Sequence, residues 1–67
     1  MAETVSNNIN ELRQRLEATQ EQLAHTVGVS RQTIIAMEKG NYVPSLLLAL
    51  KVAKFFKKSV EDIFMLS

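Results

Sequence analysis

The stretch Gln20-Glu21-Gln22-Leu23-Ala24-His25-Thr26-Val27-Gly28-Val29-Ser30-Arg31-Gln32-Thr33-Ile34-Ile35-Ala36-Met37-Glu38-Lys39 holds two short apolar patterns of helical spacing that meet at Gly28 with almost no spacer. Leu23 and Val27 line one face before the junction, and Ile34 and Met37 line one face after it. Helices joined this tightly cross steeply and need a small side chain near the crossing, which Ala24 supplies. The reversal that follows favours a positive φ, cheapest for a residue without a Cβ, and Gly28 stands there. Val29 follows as an apolar plug, and the Ser30 hydroxyl can accept from the free amides of a new helix. With Leu23, Val27, Val29, Ile34 and Met37 turned inward, the second helix presents Arg31, Gln32, Thr33, Ile35, Ala36 and Lys39 outward.

This is the layout of a helix-turn-helix, whose second helix can enter the major groove of DNA. An ordinary helical hairpin carries the same Ala, Gly and Ser among aliphatics, so the pattern alone leaves both readings open. The polar set at the start of the second helix favours DNA, because arginine and glutamine present paired groups that match guanine and adenine edges.

At 67 residues the chain is expected to be one domain, with its core at about residues 8–64 and no room for a separate ligand sensor, so that regulation acts on this domain itself. So short a chain buries only about 60% of the surface its unfolded form exposes, and pairing with a second copy would add stability. There is no cysteine, hence no disulfide, thiolate nucleophile or Cys-based zinc site. His25, the single histidine, lies on the outer side of its helix without ligand partners and reads as a solvated residue. No apolar run nears the ~18 residues of a membrane span, and Met1 to Asn10 lacks the pattern of a secretion signal, so a prokaryotic cytoplasm or nucleoid is the expected location. The net charge of +1 does not announce a nucleic-acid binder, so charge distribution has to carry that reading. Lys51, Lys54 and Lys58 share a helical face beside Lys57, but they lie away from the motif and lack aromatic interleaving, which favours a solvated face over a phosphate track.

Outside the motif, Met1 to Ser6 either frays or, through Glu-Thr-Val-Ser, adds a short strand. Asn7 or Asn8 can cap a first helix to about Glu17, with Ile9, Leu12 and Leu16 on its buried stripe. Thr19 and Gln22 form a capping box for the second helix, Gln20 to about Val27; Ser30 starts the third, which ends at Gly40. Asn41-Tyr42-Val43-Pro44 is a loop, and Ser45 caps a fourth helix from Leu46 to about Lys57, with Leu46, Leu50, Ala53 and Phe56 or Phe55 inward. Ser59 with Asp62 opens a short fifth helix through Ile63 and Phe64. Five short helices with tight joints make an all-α domain.

Leu12-Arg13, Thr-Gln-Glu-Gln-Leu-Ala (19–24), Val-Gly-Val-Ser-Arg-Gln-Thr-Ile (27–34), Glu-Lys-Gly (38–40), Pro-Ser-Leu (44–46) and Ser-Val-Glu-Asp-Ile-Phe (59–64) together resemble the lambda-repressor-like, XRE-family helix-turn-helix regulators, over about Asn8 to Phe64. The resemblance implies the five-helix lambda-repressor-like fold and a sequence-specific transcriptional regulator of double-stranded DNA, with no cofactor, metal or small-molecule ligand. It places Arg31, Gln32 and Thr33, then Ile35 and Ala36, against base edges. It assigns Thr19, Gln20, Ser30, Lys39, Asn41 and Tyr42 to phosphates, with Gln20 also bracing the reading helix. Ile35 stands either over a thymine methyl or as a tolerated exposed aliphatic, and Tyr42 either holds phosphate or packs over Pro44. Arg13 and Glu38 match a partly buried salt bridge that ties the first helix to the third.

Departures from the pattern carry expectations of their own. Glu17 stands where relatives often have a helix-ending glycine, and Lys57-Lys58 replaces a frequent Gly-Val, so those joints are expected to be strained or differently shaped. Leu47, with Leu48 and Phe55, leaves more apolar surface on the fourth helix than a monomer needs, and Phe64-Met65-Leu66 adds to it. These residues, together with Ile63, point to a homodimer built from the fifth helix, the tail and part of the fourth helix or the amino-terminal segment. A repressor on a palindromic operator is the leading reading, since so small a chain can occlude a promoter. The alternative keeps the fold and gives the apolar surface to a protein partner, as in an antitoxin. An enzyme finds little support without a phosphate loop, a nucleophile–base pair or clustered carboxylates.

Overall fold

Serine and threonine hydroxyls mark where most of the helices begin. The computed structural model describes residues 3–66. Among them run β1 (Val5–Asn7), α1 (Ile9–Arg15), α2 (Gln20–Val27), α3 (Arg31–Glu38), α4 (Leu46–Phe56), α5 (Val60–Ile63) and β2 (Phe64–Leu66). Thr19, Ser30, Ser45 and Ser59 each accept from the backbone N–H three residues on, and at Thr19 and Ser59 the side chains of Gln22 and Asp62 return the bond. Each such cap contributes about 1 kcal/mol of helix stability. At the start of α1 the capping falls to Asn7 and not to Asn8, which makes no side-chain cap bond. Asn7 Oδ1 accepts from the Ile9 N–H, and Asn8 Nδ2 donates to the Asp62 carbonyl, tying α1 to α5.

Helix ends repeat one device. Gly28 has φ 79°, and the N–H groups of Gly28 and Val29 both return to the Ala24 carbonyl. Gly40, at φ 80°, closes α3 with the Asn41 N–H donating to the Ala36 carbonyl. Glu17 and Lys57 occupy the same left-handed seat at φ 55°, with the N–H groups of Ala18 and Lys58 returning to the carbonyls of Arg13 and Ala53. These two joints therefore keep the glycine geometry with side chains that disfavour it. The early reversal also stops α1 at Arg15, short of Glu17.

The core is built from Ile9, Leu12, Leu23, Ala24, Val27, Ile34, Met37, Leu48, Val52, Ala53, Phe56 and Ile63, with Val29, Phe55, Val60 and Phe64 packed on it. Three expectations fail here. Leu16 is 57% exposed because the chain turns away after Arg15. On α4 the buried face runs through Leu48, Ala49, Val52, Ala53 and Phe56, which leaves Leu46 and Leu50 outside and Leu48 inside, the reverse of their expected places. Ile63, expected on a dimer surface, is fully buried in its own chain and offers nothing to a second copy.

The short strand that Glu-Thr-Val-Ser permits does form. Val5, Ser6 and Asn7 pair antiparallel with Leu66, Met65 and Phe64, joining both ends of the chain. Phe64 is extended (φ −113°, ψ 132°), so α5 ends at Ile63 rather than at Phe64. Met1 and Ala2, part of the stretch read as frayed or extended, lie outside the described residues. No helix among the described residues is long and apolar enough to cross a membrane.

Candidate nucleic-acid interface

The Ser30 cap fixes how α3 begins. Its Oγ accepts from the Thr33 N–H at 3.2 Å and lies 3.0 Å from Thr33 Oγ1. Two hydroxyl protons are present in that pair and one lies between them, so one remains to donate outward. Arg31 and Gln32 are exposed on the first turn, Thr33, Ile35 and Ala36 are half-buried, and Lys39 is exposed past the end of the helix. Ile34 and Met37 point the other way, fully buried, which locks the rotation of α3. The six side chains expected to face outward thus form one continuous surface.

Beneath that surface, Glu38 gathers four donor contacts. Arg13 Nε and Nη2 reach it at 2.8 and 3.3 Å, Asn10 Nδ2 at 3.1 Å and Gln20 Nε2 at 3.3 Å. Burial pushes the Glu38 carboxyl up, but the hydrogen bonds from Arg13, Asn10 and Gln20, with the charge of Arg13, outweigh it and hold the group below its ordinary value. The bond to Glu38 in turn raises Arg13. Arg13 Nη1 also donates to the Ala18 carbonyl at 3.0 Å, clamping the α1–α2 joint beside the left-handed Glu17. Asn7 Nδ2 completes the brace with a 2.7 Å bond to the Met37 carbonyl at the end of α3. The expected Arg13–Glu38 pair is present; the sequence marks Asn7 only as a helix cap and assigns Asn10 no role. The only sequence signal for Asn10 is its place one helical turn before Arg13.

Gln20 stands where its bracing role requires, at the start of α2 with its amide turned to Glu38. A primary amide nitrogen carries two hydrogens, so the second is left for an anion outside. The amides of the first turn of α2 add a positive helix end there. Thr19, Gln20, Glu21 and Arg31 line one open cleft of about 500 Å³ with Arg13 and Ala18, so the candidate phosphate residues of α2 and the leading residue of α3 share a wall. Thr19 Oγ1 accepts the Gln22 N–H and keeps its own proton to donate. Asn41 is exposed, and Tyr42 lines a crevice with Gly28, Val29, Ser45 and Leu47. Pro44 lines a different crevice, with Val5, Leu46 and Phe64.

A capped, outward-facing helix with Arg and Gln at its head, set on α2 through a glycine turn and held from behind by an ion pair, defines a helix-turn-helix DNA-binding domain. The helix-turn-helix family model matches residues 9–63. The chain belongs to the XRE-type helix-turn-helix family of transcriptional regulators, and it is not an enzyme. It is 56% identical over 62 residues to an uncharacterized HTH-type transcriptional regulator of Bacillus subtilis, covering 92% of this chain and 94% of that one. An HTH-type regulator of Methanocaldococcus jannaschii is 57% identical over 60 residues, 90% of this chain and 91% of the other. Among solved structures, the restriction-modification controller protein C.AhdI from Aeromonas hydrophila superposes with a TM-score of 0.75 at 30% identity, over 81% of this chain and 82% of that one.

Proposed function

We propose that this chain is a repressor that binds a palindromic operator as a homodimer, with α3 in the major groove of each half-site. The observation that carries this reading is the pairing of an exposed Arg31–Gln32 head with a buried brace that fixes its direction. Arg31, Gln32 and Thr33 meet base edges first, with Ile35 and Ala36 behind them. Thr19, Gln20, Ser30, Lys39, Asn41 and Tyr42 hold the flanking phosphates and set the register. Repression follows from size, since a small bound domain blocks a promoter but offers little surface to recruit a polymerase.

The dimer reading rests on exposed apolar side chains beyond what a monomer of this size needs: Leu46, Leu50 and Leu66 are 72%, 52% and 77% exposed. Leu46 lies on the flank of α4 toward Val43 and Phe64, the first residue of β2, and Leu50 follows it one helical turn later. Leu47 and Phe55, expected in the same interface, lie on the other flank, facing Gly28 and Thr26 of the α2 side. The patch assigned to the second copy is therefore Val43, Leu46, Leu50, Phe64, Met65 and Leu66. Two copies joined there read half-sites about 34 Å apart.

Selection of bound sequences from a random DNA pool tests both parts together. A consensus with two-fold symmetry supports the homodimer, and a single asymmetric half-site removes it. If no sequence is enriched and a different protein co-purifies on the leucine patch, the chain is an interaction module of the same fold.

A further inference from the structure

Ile35 sits in the middle of α3, on the face that also carries Arg31, Gln32 and Lys39. It belongs neither to the buried cluster nor to the half-buried apolar side chains packed on that cluster. Its branched aliphatic group is thus only half covered and lies outside the core, although the exposed half of an aliphatic brings no gain in water. The next residue, Ala36, projects only a methyl, so nothing on that side holds the helix axis away from a surface docked against it.

A side chain without donors or acceptors cannot pair with the polar groups of a base edge. Pressed against guanine, cytosine or adenine it would strip water from those groups and give nothing back. The major groove offers one apolar feature, the C5 methyl of thymine. We propose that Ile35 packs on a thymine methyl and so specifies an A·T pair in each half-site, next to the pairs read by Arg31 and Gln32. This rests on the reading of α3 as the groove helix and adds the chemistry of one base pair to it.

The test starts from an operator obtained by selection. Each thymine is replaced in turn by uracil, which removes the methyl and leaves the pairing intact, and binding is followed by fluorescence anisotropy at fixed salt. One thymine per half-site is expected to lose about three- to fivefold in affinity, the value of one methyl group removed from an apolar contact. The same substitution in complexes of Ile35→Ala should have no effect, whereas Ile35→Val should keep part of the discrimination. Placing 5-methylcytosine opposite guanine at that position should bind more tightly than cytosine by a similar factor. Uracil tolerated at every position, or a uracil penalty as large in Ile35→Ala as in the parent chain, overturns the assignment while leaving the groove helix in place. If selection returns no preferred sequence at all, the DNA reading itself falls and the methyl contact with it.

Discussion

Glu38 Oε2 lies 2.8 Å from Arg13 Nε, joining the last turn of α3 to the middle of α1 across the floor of the candidate interface. Their side chains are 6% and 13% exposed, so this pair is nearly out of solvent, unlike the exposed Glu11–Arg15 pair. Removing one partner leaves a largely desolvated charge unpaired, and Glu38→Ala is expected to destabilise the fold by about 3 kcal/mol, the low end for a buried pair because Arg13 still borders the open cleft. Arg13→Ala should cost a similar amount, and the double variant clearly less than the sum, because the second removal relieves the stranded charge. Denaturant titration of the four proteins checks this; additive losses would show that the pair contributes no coupling.

The same carboxylate sets an acid limb of stability. Glu38 is held below its ordinary carboxylate value of 4.5 in the folded chain. An unfolded-state value above the folded one means that the unfolded chain binds more protons in that window, so the stabilisation is complete above about 4.5 and is lost as pH falls through the folded value. Thermal melts from neutral pH downward should fall in that window for the parent. In Glu38→Gln, which keeps the shape without the titrating group, the fall should be shallower.

Much of this fold is legible in local chemistry. Thr19, Ser30, Ser45 and Ser59 announce helix starts because a cap needs only its own residue and the one three along, and Gly28 and Gly40 announce ends because a positive φ is a single-residue property. What the chain hides is rotation. Leucines at 46, 47, 48 and 50 fall on more than one face of α4, so spacing cannot choose the buried face. Packing against α2 chose Leu48 and Val52, and that moved Leu46 and Leu50 to the surface. At the candidate interface, the outward set on α3 is readable because Ile34 and Met37 leave one inward choice. The contribution of Asn7 and Asn10 is not, since it depends on where the end of α3 comes to rest.

Glu17 and Lys57 hold a left-handed backbone at φ 55°, where a Cβ crowds the following carbonyl. Glu17→Gly and Lys57→Gly should each raise stability by about 0.5 to 1 kcal/mol, the relief of that crowding less the extra freedom glycine has when unfolded. Gly28→Ala is the converse test. A Cβ there meets nothing within 4 Å, so its whole cost comes from φ 79° and should be about 1 to 2 kcal/mol. A larger loss would mean that the turn shifts rather than strains.

If a second copy covers the flank of α4, a charge placed in that flank must split the pair. Leu50→Glu puts a carboxylate beside Leu46 on a surface already half open to water, so the fold itself should tolerate it. Sedimentation at micromolar concentration is expected to show a dimer for the parent and the 7.6 kDa monomer for the variant. Leu47→Glu, on the opposite flank, should leave the dimer intact. A parent that sediments as a monomer with and without operator would remove the homodimer.

The surface of α3 and its flank predicts two distinguishable kinds of loss on DNA. Arg31 stands exposed at the head of the helix, and on the proposed reading its guanidinium pairs with one guanine, so Arg31→Ala should cost about 1 to 3 kcal/mol and relax preference at one base pair. Lys39 lies past the end of the helix, beside the loop that leads to Asn41, where a flexible ammonium meets the backbone rather than a base. Lys39→Ala should therefore weaken every sequence alike and reduce the slope of log affinity against log salt by about 1. Anisotropy titrations against the selected operator and a scrambled duplex, at several salt concentrations, separate the two. Equal losses on both duplexes for Arg31→Ala would place that residue on phosphate and leave base reading to Gln32 and Thr33.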